Sequence, residues 1–188
     1  MSSTVLNVAS EGETDDASLI ARARTGDERA IDLLVRRYLG DVYSVTARVL
    51  NDVELAQDAA QDAVLNALRG LHRFRGEASF RTWLLRIAIN AARTVARRQF
   101  RRREVSLEAV HESAAVEPDF ATVLVTRDEA ARAARALQQL PEKQRVTVSL
   151  RLNQGLSYQE IGVVLQCTEG AARVNYHLGV KRLRELMK

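Results

Sequence analysis

Residues 154–182, QGLSYQEIGVVLQCTEGAARVNYHLGVKR, decide how the chain is read. Ser157 with Glu160 three positions later is a capping box, in which each residue's side chain satisfies the other's free backbone N–H. The helix it opens carries Ile161, Val164 and Leu165 on one side and stops at Gln166-Cys167. Thr168 can then cap a second helix, with Ala172, Tyr176, Gly179 and Leu183 facing inward and Arg173, Asn175, His177 and Lys181 facing outward. Two short helices across a turn of three to four residues form the helix-turn-helix layout, which lays its second helix in the major groove of DNA. Helical hairpins without DNA share this pattern, so the rest of the chain has to decide.

Working backward, Gly155 ends a helix that starts near Pro141 and holds Val146, Val148, Leu150 and Leu152. Residues 123–140 form the helix before it. Residues 104–122, EVSLEAVHESAAVEPDFAT, are acidic, contain Pro118 and hold no sustained period, which marks a flexible linker. Upstream, apolar residues recur at helical spacing in four runs. Leu19, Ile20 and Ala23 precede a break at Gly26. Ala30, Ile31, Leu34, Val35, Tyr38, Leu39, Val42, Val45 and Val49 make one long helix to about Leu50. Asn51-Asp52 caps a third, with Leu55, Ala59, Val64, Leu65 and Leu68 apolar and Asp58, Gln61 and Asp62 on the other side. A fourth starts near Ser79, with Phe80, Trp83, Leu84, Ile87, Ala91 and Val95 as its buried stripe. The fold class is therefore all-α: two small helical domains, 16–103 and 123–188, joined by the linker. Residues 1–15, small and acidic, are expected to be a disordered tail.

Charge is distributed in blocks. The total of +4 conceals +10 within residues 69–103, where eleven basic residues meet a single acidic one, between acidic stretches on either side. All but three of the basic residues are Arg, whose planar fork suits phosphates and base edges. Nucleic acid is the polyanion such a block fits, and the acidic blocks suit a protein partner. One cysteine, Cys167, excludes an internal disulfide, and His72, His111 and His177 have no metal-ligand spacing. Cys167 reads as buried filler in a turn rather than a redox sensor. The start, MSSTVLNVASEGETDD, lacks the order of a signal peptide, and no apolar run reaches membrane-spanning length, so a cytoplasmic protein without membrane insertion is expected. No cofactor or metal is expected. Nothing resembles a glycine-rich phosphate loop or a nucleophile–base pair, which argues against an enzyme.

The fourth helix carries Thr82, Arg86, Asn90, Arg93 and Arg97 at spacings of four, four, three and four, and the loop before it holds Phe74, Arg75, Gly76, Glu77 and Ser79. A cationic helix beside such a loop suits a single strand, whose phosphates bind the arginines and whose unstacked bases the loop can hold. Trp83 and Phe80 fall on the apolar stripe, so both are read as core.

Residues 52–93 and 136–186 together resemble the sigma-70 family of RNA polymerase sigma factors, in its extracytoplasmic-function (ECF) type. The resemblance is carried by Gln61-Asp62, Phe74-Arg75-Gly76 and Phe80-Arg81-Thr82-Trp83-Leu84, then Leu140-Pro141, Gly155-Leu156-Ser157-Tyr158 and Glu160-Ile161, in the family's order. It implies sigma domain 2 over 16–103 and sigma domain 4 over 123–188. It also implies that Asp58, Gln61, Asp62 and Leu65 grip the β′ coiled coil of core RNA polymerase, with the β flap as a second contact. Arg75, Gly76, Glu77, Ser79, Thr82, Arg86, Asn90, Arg93 and Arg97 would read and hold open the promoter −10 element. Thr168, Glu169, Arg173, Asn175, His177 and Lys181 would read the −35 element as duplex. An anti-sigma factor is a further expected partner. Val174-Asn175 stands where the family often has a Ser-Arg pair, Leu178 where it has a further basic residue and Gly179-Val180 where an Ala-Arg pair is common, and 104–122 is too short for the middle domain of primary sigma factors. The rival reading is a two-domain helix-turn-helix regulator that binds duplex DNA without polymerase.

Overall fold

The structure is a computed structural model and describes residues 15–105 and 127–188. Within them the chain forms eight α-helices and no strand. These are α1 (Asp16–Arg24), α2 (Glu28–Leu50), α3 (Val53–Gly70), α4 (Phe80–Val105), α5 (Arg127–Gln138), α6 (Glu142–Leu152), α7 (Tyr158–Leu165) and α8 (Glu169–Leu186), with a 3₁₀ turn at Leu71–Arg73. Residues 1–14 of the expected tail and most of the expected linker lie outside the described residues, and Asp15, assigned to the tail, is the N-cap of α1. Glu104 and Val105, assigned to the linker, instead continue α4.

Local chemistry places the helix ends. Asp27 caps α2 by accepting from the N–H groups of Arg29 and Ala30. Asn51 then takes the left-handed conformation, φ 54°, and Asp52 accepts from Leu55 N to start α3, so two short polar residues turn the chain between long helices. Pro141 is the N-cap of α6, one position before the expected one. At Ser157 the capping box is complete, and Glu160, held by the Ser157 N–H, has its carboxyl below the ordinary range.

Helix α3 buries Ala56, Ala59, Ala60, Ala63 and Ala67 rather than its larger residues. An alanine face lets α2 and α4 approach closely, and it turns Leu65 outward, away from the apolar face expected for it. At one end of α1–α4, Phe74 meets Phe80 edge-on at 5.6 Å, and Trp83 lies 5.2 Å from Phe74. Trp83 is half-buried against this cluster, as its place on the apolar stripe predicts.

The two halves meet. One core cluster takes Val45, Val49, Ala59, Leu85, Ile89 and Ala92 from the first half and Val146, Leu150, Leu156, Ile161, Val164 and Ala172 from the second. Polar contacts frame it. Arg81 of α4 donates to Asp41 Oδ2 at 2.6 Å and to Gln154 O at 2.7 Å. From α6, Arg145 donates to Arg48 O at 2.8 Å, Leu140 O at 2.9 Å, Gln138 O at 3.3 Å and Val49 O at 3.4 Å.

Candidate functional site

The loop before α4 turns at Gly76, whose φ of +75° lies where glycine is at ease. Arg75 and Glu77 are exposed beside it, their charged groups 3.9 Å apart, a separation that leaves both available to a ligand. Ser79 is exposed, and its hydroxyl is engaged as a cap, accepting from Thr82 N at 3.1 Å and meeting the Thr82 hydroxyl at 2.8 Å.

Thr82 itself, expected on the DNA-facing side, is fully buried. The expectation assumed that α4 packs on one side only, whereas α2, α3 and α7 all lie against it and widen its buried face. Leu85, Ala88, Ile89 and Ala92 are buried with it. The remaining face divides: Asn90 and Arg97 are exposed, Arg86 is half-buried, and Arg93 Nε lies 3.0 Å from Glu142 Oε1 of α6. Asn90 also lines a groove of about 310 Å³ between α3 and α4, together with Asp62, Asn66 and Arg98.

On α3, Asp58, Gln61, Asp62 and Leu65 form one exposed patch, and Leu65 is 49% exposed. A leucine held out among carboxylates and amides gives this face an apolar point for a protein partner to cover. Periodicity alone groups Leu65 with the apolar residues of α3, whereas the resemblance to the sigma-70 family puts it on this exposed face, where the structure has it.

In the second half, α7 and α8 are joined through Gln166, left-handed at φ 57°, and Thr168, whose hydroxyl accepts from Ala171 N at 3.1 Å. Arg173 pairs with Glu169 at 2.7 Å and lies 5.3 Å from the centre of the Tyr158 ring. Asn175 donates back to Ala171 O at 2.9 Å, so its amide is held against its own helix. His177 and Lys181 are exposed. Val174 and Leu178, which sequence reasoning left without a role, are exposed on the same outer face.

Some members of each set of candidate DNA residues, assigned by sequence to separate domains, line one open groove of about 1,220 Å³. Arg75, Gly76, Glu77 and Arg86 come from the first half and Thr168 and Glu169 from the second, and Trp83 and Cys167 also line it. Cys167 is half-buried against the shared core, in keeping with a packing role. Among the described residues no cluster of His, Cys, Asp or Glu could hold a metal, and no helix is long and apolar enough to cross a membrane.

Comparison with known proteins divides the chain in the same order. The model of sigma-70 region 2 matches residues 34–102, and that of sigma-70 region 4 matches residues 130–183. The RNA polymerase sigma-H factor of Pseudomonas aeruginosa is 38% identical over 169 residues, covering 86% of this chain and 88% of that one. The ECF RNA polymerase sigma-E factor of Escherichia coli K12 is 35% identical over 166 residues, 84% of this chain and 86% of that one. Among solved structures, CnrH in complex with the cytosolic domain of CnrY is similar at a TM-score of 0.67 and 28% identity, over 92% of this chain and 96% of that one. The sigma factor RpoE, solved with the anti-sigma factor NepR from Bartonella quintana, shares the fold at a TM-score of 0.72 and 22% identity, over 83% and 95%.

Proposed function

The chain belongs to the sigma-70 family as a sigma factor of the ECF type, and on that basis we propose that it binds core RNA polymerase and directs it to promoters by reading −10 and −35 elements. The observation that carries the reading is the exposed α3 patch of Asp58, Gln61, Asp62 and Leu65, in a chain that also holds a helix-turn-helix. A duplex-binding regulator that works without polymerase has no use for that patch, so the reading is favoured over this rival. In this scheme the first half, from residue 16 to the end of α4, acts as the polymerase-binding and −10 domain and 123–188 as the −35 domain, joined through the segment between them.

Chemistry supports a division of labour within the −10 part. Arg75 and Glu77 are free to meet bases that have left the stack, and Arg86, Asn90 and Arg97 are spaced to follow the adjoining phosphates. Unstacking a base costs a few kcal/mol, which a well-formed pocket returns, so binding energy alone drives opening and no catalytic step is required. We place the protein in the cytoplasm, with promoter DNA, the polymerase β′ coiled coil and the β flap as partners. An anti-sigma factor is a further partner, supported by the relative RpoE having been solved with NepR.

The test combines polymerase binding with transcription. Purified core polymerase should retain the wild-type chain and produce run-off transcripts from a randomised promoter library. The Asp58→Ala, Asp62→Ala double variant should be retained at least tenfold less well, with helical content unchanged, since both residues are exposed. Retention equal to wild type would remove α3 from the interface, and absence of any promoter-specific transcript would overturn the functional reading.

A further inference from the structure

The outer face of α8 is apolar at its middle. Val174 is 57% exposed and Leu178 is 49% exposed, one helical turn apart on the same side. Arg173, His177, Lys181 and Arg182, all exposed, border them. Two of the polar residues that a reading of base edges would call on are otherwise engaged: Arg173 with Glu169 and the Tyr158 ring, Asn175 with the carbonyl of Ala171. What the helix presents at its centre is therefore a pair of aliphatic side chains inside a cationic border.

From this we infer that Val174 and Leu178 read thymine 5-methyl groups in the −35 duplex. The inference rests on the proposal that α8 enters the major groove. Within that groove the one apolar group on a base edge is the thymine methyl, and aliphatic side chains distinguish thymine by contact with it. The cationic border fits the flanking phosphates and commits this apolar face to DNA, since a purely hydrophobic partner would leave Lys181 and Arg182 desolvated beside it. Side chains one turn apart have Cβ atoms about 6 Å apart, close to two base-pair rises of roughly 3.4 Å, so the thymines read should lie one or two positions apart.

The experiment uses polymerase holoenzyme reconstituted with the full chain. Promoters are first recovered from a library randomised at −35, and each −35 thymine is then replaced in turn by deoxyuridine, which removes only the methyl group. Burial of one methyl corresponds to roughly fourfold in affinity, so at one or two positions uracil should bind about three- to fivefold more weakly. Val174→Ala or Leu178→Ala should abolish that thymine–uracil difference at its own position while leaving core-polymerase retention intact. If uracil binds as tightly as thymine everywhere, or if the difference survives both substitutions, the inference is wrong while the sigma-factor reading stands. A variant that loses polymerase retention with its thymine preference unchanged would make this face a protein contact instead. Failure to recover any promoter would overturn the functional reading and the inference together.

Discussion

Arg145 shows how one side chain can hold two helices and a turn. Its guanidinium donates to carbonyls at the end of α2 and around the α5–α6 turn, four acceptors in all, of which the nearest are 2.8 and 2.9 Å away. Burial pulls its pKa down from the ordinary value, and Arg48, also mostly buried, is repelled by it. The carbonyls outweigh the repulsion, because an unsatisfied buried acceptor costs about 1–3 kcal/mol and a like charge at this partly wet boundary costs less. Arg145→Ala is therefore expected to lower stability by about 1–3 kcal/mol in urea unfolding, and Arg145→Lys to recover only part of it, because an ammonium cannot fork across four acceptors. An unchanged midpoint would mean that water replaces the guanidinium without loss. Sequence gave no hint of this residue: an arginine in a basic segment looks like a DNA contact, and its partners are backbone atoms as far as 97 positions away. Thr82 is the converse, a polar residue on a plausible binding face that the packing of a third helix withdraws from solvent.

Among the elements, helix ends were legible because their chemistry is local: Asp52, Ser157 with Glu160, and Thr168 all cap where their side chains predict. Helix faces were less so, because a face depends on which neighbours arrive. The alanine side of α3 does not stand out in a hydrophobicity pattern, which groups the exposed Leu65 with the apolar residues instead. Close approach is also silent in sequence. A Cβ added at Gly179 of α8 would stand 2.7 Å from Val148 Cγ2 and 3.4 Å from Gln144 Cβ of α6, whereas at Gly40 of α2 it would meet nothing within 4 Å. Alanine favours a helix over glycine by about 0.5–1 kcal/mol, and overpacking costs about 1–3 kcal/mol. Gly40→Ala should thus raise stability by about 0.5–1 kcal/mol and Gly179→Ala should lower it by about 1–2 kcal/mol, measured by denaturant unfolding of the full chain. A stabilising Gly179→Ala would show that α6 and α8 part without cost.

At the scale of the whole molecule, the charge blocks and the two motifs pointed to the candidate surfaces and to the family, but nothing in the sequence indicated that the halves share a core. The periodicity of α2, α4, α6 and α7 reports that each has a buried side and not what covers it. The shared core puts an acidic residue of the second half against the cationic face of the first, with Glu142 Oε1 3.0 Å from Arg93 Nε. A carboxylate there occupies the arginine much as a phosphate would, so on the proposed −10 role a single strand would have to displace Glu142 before Arg93 could bind it. Both side chains are partly exposed, which limits the pair to about 0.2–1 kcal/mol, or roughly 1.4- to fivefold in affinity. Glu142→Gln in the full chain should therefore tighten binding to a labelled single-stranded −10 oligonucleotide by up to about fivefold at low salt, with the gain fading as salt rises. Removing a negative charge anywhere near DNA also helps, so the decisive measurement is the double-mutant cycle with Arg93→Ala. If Glu142 acts by occupying Arg93, its substitution gains nothing once Arg93 is gone. An equal gain in both backgrounds would reduce Glu142 to a general repulsion and leave Arg93 outside the DNA contact.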